Sequence, residues 1–214
     1  MNAIVVGATG ATGKDLLKQL LEDRAYKTVI VFVRHDLGII HPKLTTFVVD
    51  FNDIPSWSHL IQGDVLFSLL GTTRAKAGGK EQQWKVDYDY QYEIAKAARK
   101  NGVHTMELMS AVGADKNSRF FYSRMKGELE EAIQHLDFPR LIITRPPSLV
   151  RRRSDRWMER ISVFVLRVIN KLGLLRHLAP MKTQNVARVL RRTAKNKNVD
   201  SRILEPEEMR IVAL

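Results

Sequence analysis

At 214 residues the chain has the length of one domain, with room for at most a small appended lobe, and it can bury a substantial core. It contains no cysteine, which excludes disulfide scaffolds, thiolate metal sites and cysteine nucleophiles together and suits a reducing compartment. The formal net charge of +12 is regional: residues 1–138 carry 17 Lys or Arg against 17 Asp or Glu, while residues 139–214 carry 18 against 6.

The chain opens on an apolar strand, Ala3 to Val6, without a basic leader, and no stretch of about 18 uncharged apolar residues follows. From this start a soluble, cytoplasmic protein is expected. The strand runs into Gly7-Ala8-Thr9-Gly10-Ala11-Thr12-Gly13 and then a helix from Thr12 to Glu22. Three positions without side chains, at a strand-to-helix turn, let backbone approach a pyrophosphate while amides at the helix start hold its charge. The spacing is G-x-x-G-x-x-G, so the agreement with the dinucleotide fingerprint lies in context and mechanism.

A second strand, Thr28 to Val33, ends at Arg34. An acidic residue there would accept bonds from the ribose hydroxyls of NAD, whereas a guanidinium fork suits a 2′-phosphate. NADPH is therefore expected, with NADH less favoured. Asp50 and Phe51 follow a third strand, Thr45 to Val49, and are placed to meet the adenine. A helix near Pro55 to Ile61 leads to a strand at Val65 to Leu70, and a long helix covers Glu81 to Lys100, stopped by Gly102. On it Trp84, Tyr88 and Tyr92 recur every four residues, which reads as core or as an interface in an oligomer.

The fifth strand, Thr105 to Met109, places Ser110 at the carboxyl edge of the sheet, where it would hydrogen-bond a substrate carbonyl. The next helix, Ser118 to His135, puts Tyr122 and Lys126 four residues apart on one face. A cation beside a phenol favours the phenolate and so brings the hydroxyl toward the range of a general acid or base. Asp137 and Pro139 end that helix before a strand at Leu141 to Thr144. After Pro146-Pro147 the pattern turns basic and amphipathic from Arg151 to His177, and closes with a helix at Thr183 to Lys195 and a strand at Arg202 to Leu204. Alternating β and α patterns of this kind predict an α/β protein with a Rossmann-type, doubly wound, mostly parallel sheet. Residues 1–214 form one NAD(P)-binding domain in this reading, with 149–182 as a small helical lid or substrate region.

Three readings of the basic stretch compete, and two stay open. Its apolar stripe could pack as a lid over the substrate pocket. The helix could lie on an anionic membrane through residues 151–177, which would suit a lipid-soluble quinone. Nucleic acid is not expected, since base-stacking aromatics are limited to Trp157 and Phe164 and no recognition motif is present. The six histidines show no metal-ligand spacing, so no metal is expected.

Taken together, the turn at Gly7 to Gly13, the run Leu70-Gly71-Thr72-Thr73-Arg74-Ala75-Lys76-Ala77-Gly78, and Ser110 to Glu128 with Gly113-Ala114-Asp115-Lys116 and Tyr122-x-x-x-Lys126-Gly127-Glu128 carry a family likeness. The sequence resembles the atypical short-chain dehydrogenases, in particular the Tat-interacting-protein oxidoreductase group and its bacterial NmrA-like, NAD(P)-binding relatives. The resemblance implies NADPH as cofactor and Ser110, Tyr122 and Lys126 as a reductase triad, with Tyr122 and Lys126 also touching the cofactor. It further implies that Leu70, Gly71 and Thr72 line the cofactor and that Pro146 lies near the nicotinamide. One departure stands out: the relay asparagine of ordinary short-chain dehydrogenases is replaced by Val86-Asp87-Tyr88. The expected function is hydride transfer from NADPH to a small carbonyl or quinone. The alternative is a regulatory protein that binds NADPH to sense redox state without turning it over.

Overall fold

The computed structural model describes residues 1–150, 179–196 and 200–214. The basic stretch expected to form a lid or to meet a membrane, 151–177, lies outside the described residues.

Seven strands form one parallel sheet in the order β3-β2-β1-β4-β5-β6-β9. They are β1 (Asn2–Val6), β2 (Thr28–Val33), β3 (Leu44–Val48), β4 (Val65–Ser68), β5 (Thr105–Met109), β6 (Arg140–Thr144) and β9 (Arg202–Leu204). This is a Rossmann-like α/β fold, and the strand order reverses between β1 and β4, which opens a crevice at their carboxyl ends. β1 is in register with both neighbours: Ile4 pairs with Ile30 of β2 and with Leu66 of β4.

The sheet is covered on both faces because alternate residues of each strand are apolar in both directions. Ala3, Val5, Val31, Val65 and Phe67 pack on one side against α1 (Ala11–Glu22) and α7 (Thr183–Lys195), with Met209 of α8 (Pro206–Ala213) in the same cluster. Ile4, Val6, Leu66, Met106 and Leu108 face the other way, toward α5 (Tyr90–Lys100), α6 (Phe121–Gln134) and Trp57 of α2 (Ile54–Trp57). A separate parallel pair, β7 (Leu149–Val150) and β8 (Met181–Lys182), brings Leu149 beside Met181.

Several boundaries differ from the sequence reading for local reasons. β4 stops at Ser68: the Leu69 amide still donates to Val6 O at 3.0 Å, and the chain then leaves the sheet toward the crevice. The long helix is divided into α4 (Lys80–Trp84), a π-helical turn (Lys85–Asp89) and α5, with the Gln91 Nε2 donating to the Asp87 carbonyl at 2.7 Å. The Ser118 amide donates to Asp115 O at 3.0 Å and closes a turn over residues 115–118, and a bend at 119–120 follows, so α6 begins at Phe121. The sequence reading also passed over two short helices, α3 (Arg74–Ala77) of four residues and α8 of eight, although Glu205 and Glu208 make a reciprocal capping box around Pro206.

Candidate functional site

The turn after β1 is built from two steric requirements. Gly7 has φ +85°, and a Cβ there would fall 2.4 Å from the Leu69 carbonyl oxygen. A Cβ on Gly13 would fall 2.1 Å from Gly7 O, so only a bare position lets α1 seat on the turn. The Gly10 amide closes the loop onto Gly7 O at 3.0 Å, and Gly10 caps α1 with no side-chain hydrogen bond. The amides of the first turn of α1 therefore have no acceptor in the helix or its cap and suit an anion. Thr12 is buried behind them, and its Oγ1 has no hydrogen-bond partner.

In front of this turn lies a cavity of about 610 Å³, within the range of small-ligand sites. Gly7, Thr9 and Gly10 form its floor, Arg34 and Phe51 one end, and Leu70, Gly71 and Thr72 the wall beyond β4. Lys76, from α3, adds a second cation, and among the described residues that line the cavity none is Asp or Glu. A turn of free amides, an unpartnered buried hydroxyl and two cations fit a phosphorylated dinucleotide. When bound, a nicotinamide dinucleotide supplies hydride chemistry.

The other residues named from sequence occupy distinct places. Ala11, Thr12 and Gly13 stand behind the turn and do not line the cavity. Asp50 does not line it either: its carboxylate accepts from the Asn52 amide at 2.8 Å and from Asn52 Nδ2 at 2.9 Å, shaping the turn that presents Phe51. Pro146 is buried, accepts the Val112 amide through its carbonyl at 3.1 Å, and is absent from the cavity wall.

Ser110, Tyr122 and Lys126 make no hydrogen bonds to one another among the described residues. Lys126 is buried with its Nζ 3.3 Å from Asp87 Oδ1 and 6.0 Å from the centroid of the Tyr122 ring. Tyr122 is 43% exposed. Ser110 is buried and donates to Glu130 Oε1. Glu130 in turn takes two bonds from Arg145, at 3.1 and 2.6 Å, and Arg145 reaches Glu205 at 2.8 Å. Those hydrogen bonds to Glu130 and Glu205 raise the Arg145 pKa and fix its charge.

Burial pushes the Asp87 carboxyl up, against the opposing pull of Lys126 and of the Thr72 amide. Lys76, Glu130 and Arg145 were not legible as site residues in the sequence, and Asp87 stood out only within Val86-Asp87-Tyr88, where a relay asparagine is missing. A further signal was Glu130, four residues beyond Lys126 and so on the same helix face.

A sequence-family profile described as NAD(P)H-binding matches residues 7–148. The mitochondrial FMP52 protein of Eremothecium gossypii is 41% identical over 156 residues, covering 72% of this chain and 69% of that protein. Its counterpart in Saccharomyces cerevisiae is 38% identical over 159 residues, covering 72% and 68%. Among solved structures, MoeE5 in complex with UDP-glucose and NAD superimposes with a TM-score of 0.72 at 15% identity, over 100% of this chain and 81% of that one, which establishes a shared fold. The cytoplasmic location expected from the sequence is corrected by these relatives, which are named mitochondrial. The apolar opening is β1 of the sheet, so its composition answers to packing. With the profile spanning most of the chain and these relatives aligned along more than two thirds of it, the chain belongs to the NAD(P)H-binding family, alongside the fungal FMP52 proteins.

Proposed function

We propose that the protein is an NADP(H)-dependent oxidoreductase of the short-chain-dehydrogenase type that delivers hydride to a small carbonyl or quinone, and that it works in mitochondria as its FMP52 relatives are named to do. The observation that carries this reading is the cavity wall, where Arg34 and Lys76 face a glycine turn and no carboxylate lines the site among the described residues. Two cations favour a 2′-phosphate and offer no acceptor to the free ribose hydroxyls of NADH.

In this reading the amides at the start of α1 would hold the pyrophosphate, and Phe51 would pack the adenine end. Tyr122 would hold a proton against the carbonyl oxygen of the substrate and donate it there. Lys126, charged and beside the ring, stabilises the phenolate that remains. Ser110 polarises the carbonyl once its hydrogen turns away from Glu130. Purified protein mixed with NADPH and a panel of carbonyls and quinones tests the assignment. Tyr122→Phe is expected to lower kcat by about two orders of magnitude or more with the Kd for NADPH nearly unchanged. Undiminished turnover in that variant would remove Tyr122 from the mechanism.

A second reading, an NADPH-responsive regulator that does not turn the cofactor over, is favoured by one specific arrangement. Ser110 has its hydrogen committed to Glu130, and Tyr122 stands half exposed with no hydrogen bond to either triad partner. Tight NADPH binding without turnover across the whole panel would select it.

A further inference from the structure

We propose that Asp87 is a positioning residue that sets Lys126 and the cofactor-facing loop as one unit, one carboxylate oxygen holding the lysine and the other holding the loop. The inference rests on the NADP(H)-binding reading of the cavity. Asp87 is 1% exposed. Its Oδ2 accepts the Thr72 amide at 2.8 Å, and its Oδ1 lies 3.3 Å from Lys126 Nζ, whose side chain is 3% exposed. Thr72 and the adjoining Gly71 belong to the cavity wall. A single carboxylate thus joins a wall of the cavity to the lysine beside Tyr122.

The backbone carrying Asp87 is held as firmly as its side chain. It sits within the π-helical turn Lys85–Asp89, a wider turn of a kind often found at functional sites. The Asp87 carbonyl is taken by Gln91 Nε2 at 2.7 Å, and Gln91 Oε1 accepts Ser68 Oγ at 2.8 Å, at the end of β4. The carboxylate is therefore fixed relative to the strand whose continuation forms the cavity wall. A buried ammonium keeps its proton only with a partner, and removing the partner leaves an uncompensated charge. The charge of Lys126 and the Thr72 amide both act on the Asp87 carboxyl against its burial.

The consequence is energetic coupling. Replacing Asp87 should harm cofactor binding through Lys126, beyond any general loosening of the helix. A double-mutant cycle reads this directly. NADPH affinity is measured by fluorescence titration for wild type, Asp87→Asn, Lys126→Met and the double variant, from pH 6 to pH 9. Asp87→Asn is expected to weaken NADPH binding by about tenfold or more, about the worth of one charge-assisted contact, and to cost less than about twofold in the Lys126→Met background. Its affinity is also expected to fall with rising pH while that of wild type stays level, because a buried ammonium stripped of its carboxylate sheds its proton more readily.

Equal losses in both backgrounds, with no pH dependence, would reduce Asp87 to a structural ion pair and overturn the proposal while leaving the cofactor assignment intact. Absence of NADPH binding by wild type would overturn both. Should Asp87→Asn alone fail to fold, the comparison of Lys126→Met with the double variant decides: matched affinities support the coupling, and a further loss on adding Asp87→Asn contradicts it.

Discussion

Arg34 and Lys76 come to the cavity from different elements, the end of β2 and the short helix α3, and both are exposed enough to turn toward an anion. An exposed guanidinium contributes little in the absence of ligand, so its replacement should act on binding and leave stability nearly unchanged. Arg34→Ala is expected to weaken NADPH binding by about tenfold or more and NADH binding by less than about twofold, the loss growing smaller at high salt. Comparative titration of both nucleotides checks this. Arg34 was legible because a strand end is a fixed address in this topology. Lys76 was not, because α3 is one turn long and the sequence gives no register from which to place its side chain.

Glu107 shows the opposite kind of residue, one that the sequence reading left inside a strand without comment. It is fully buried in β5 on the side of α7, neither carboxylate oxygen has a geometric hydrogen-bond partner among the described residues, and the Thr193 hydroxyl beside it points to the Val189 and Leu190 carbonyls at 2.8 and 3.1 Å. Burial pushes its carboxyl well above the ordinary range, with Thr193 and the charge of Arg140 opposing the shift only in part. A raised folded-state value favours the fold below the unfolded value near 4.5 and withdraws that support as pH climbs toward the folded value. Glu107→Gln is expected to raise the melting temperature, with the gain over wild type widening from pH 4.5 toward neutrality. A gain that is the same at every pH, or a loss, would show the carboxyl to be ionised and supported in the fold.

At the scale of elements, α1 is held at both ends, its start following the glycine turn at the cavity floor and its far end tied to α7. Asp23, which caps its C-terminal end, pairs with Arg191 and with Lys195 at 2.7 Å, both on α7, and Gln19 and Asp15 bond to the first turn of that helix at 3.0 and 2.6 Å. Burial raises the Asp23 carboxyl, but the bonds to Lys195, the Ala25 amide and Arg191 outweigh it and hold the value at about 2. A depressed folded-state value stabilises above the unfolded value of 3.8 and is lost as pH falls toward 2. Asp23→Asn is therefore expected to cost about 1 kcal/mol at pH 7, discounted for partial screening, and nothing measurable near pH 2. Urea unfolding of both proteins across that range measures the difference.

Elements of clear period were readable in advance. β2, β5, α7 and β9 fall on the residues that alternation and 3.6-residue periodicity indicated, and Gly102 follows α5 with φ +82° as a terminating glycine should. The π-helical turn at Lys85–Asp89 was not readable. It inserts one residue per turn locally without breaking the apolar stripe, so Trp84, Tyr88 and Tyr92 still stack at 5.0 and 6.2 Å between ring centroids. The fixing of Ser110 by Glu130 and Arg145 was hidden for another reason: it joins β5, α6 and the end of β6, and no local pattern records which strands become neighbours.

For the whole molecule, the parallel order with its reversal between β1 and β4 dictates where a ligand sits, and the cavity occupies that place with the glycine turn at its floor. Asp87 joins Thr72 of the cavity wall to Lys126. The family profile is that of NAD(P)H-binding proteins, and the proposed preference for NADPH rests on the charge of the cavity wall. Calorimetric titration of the intact protein with NADPH and, separately, with NADH tests that claim most directly. One saturable site is expected, about tenfold or more tighter for NADPH. Saturation by neither nucleotide at millimolar concentration, or tighter binding of NADH, would contradict it.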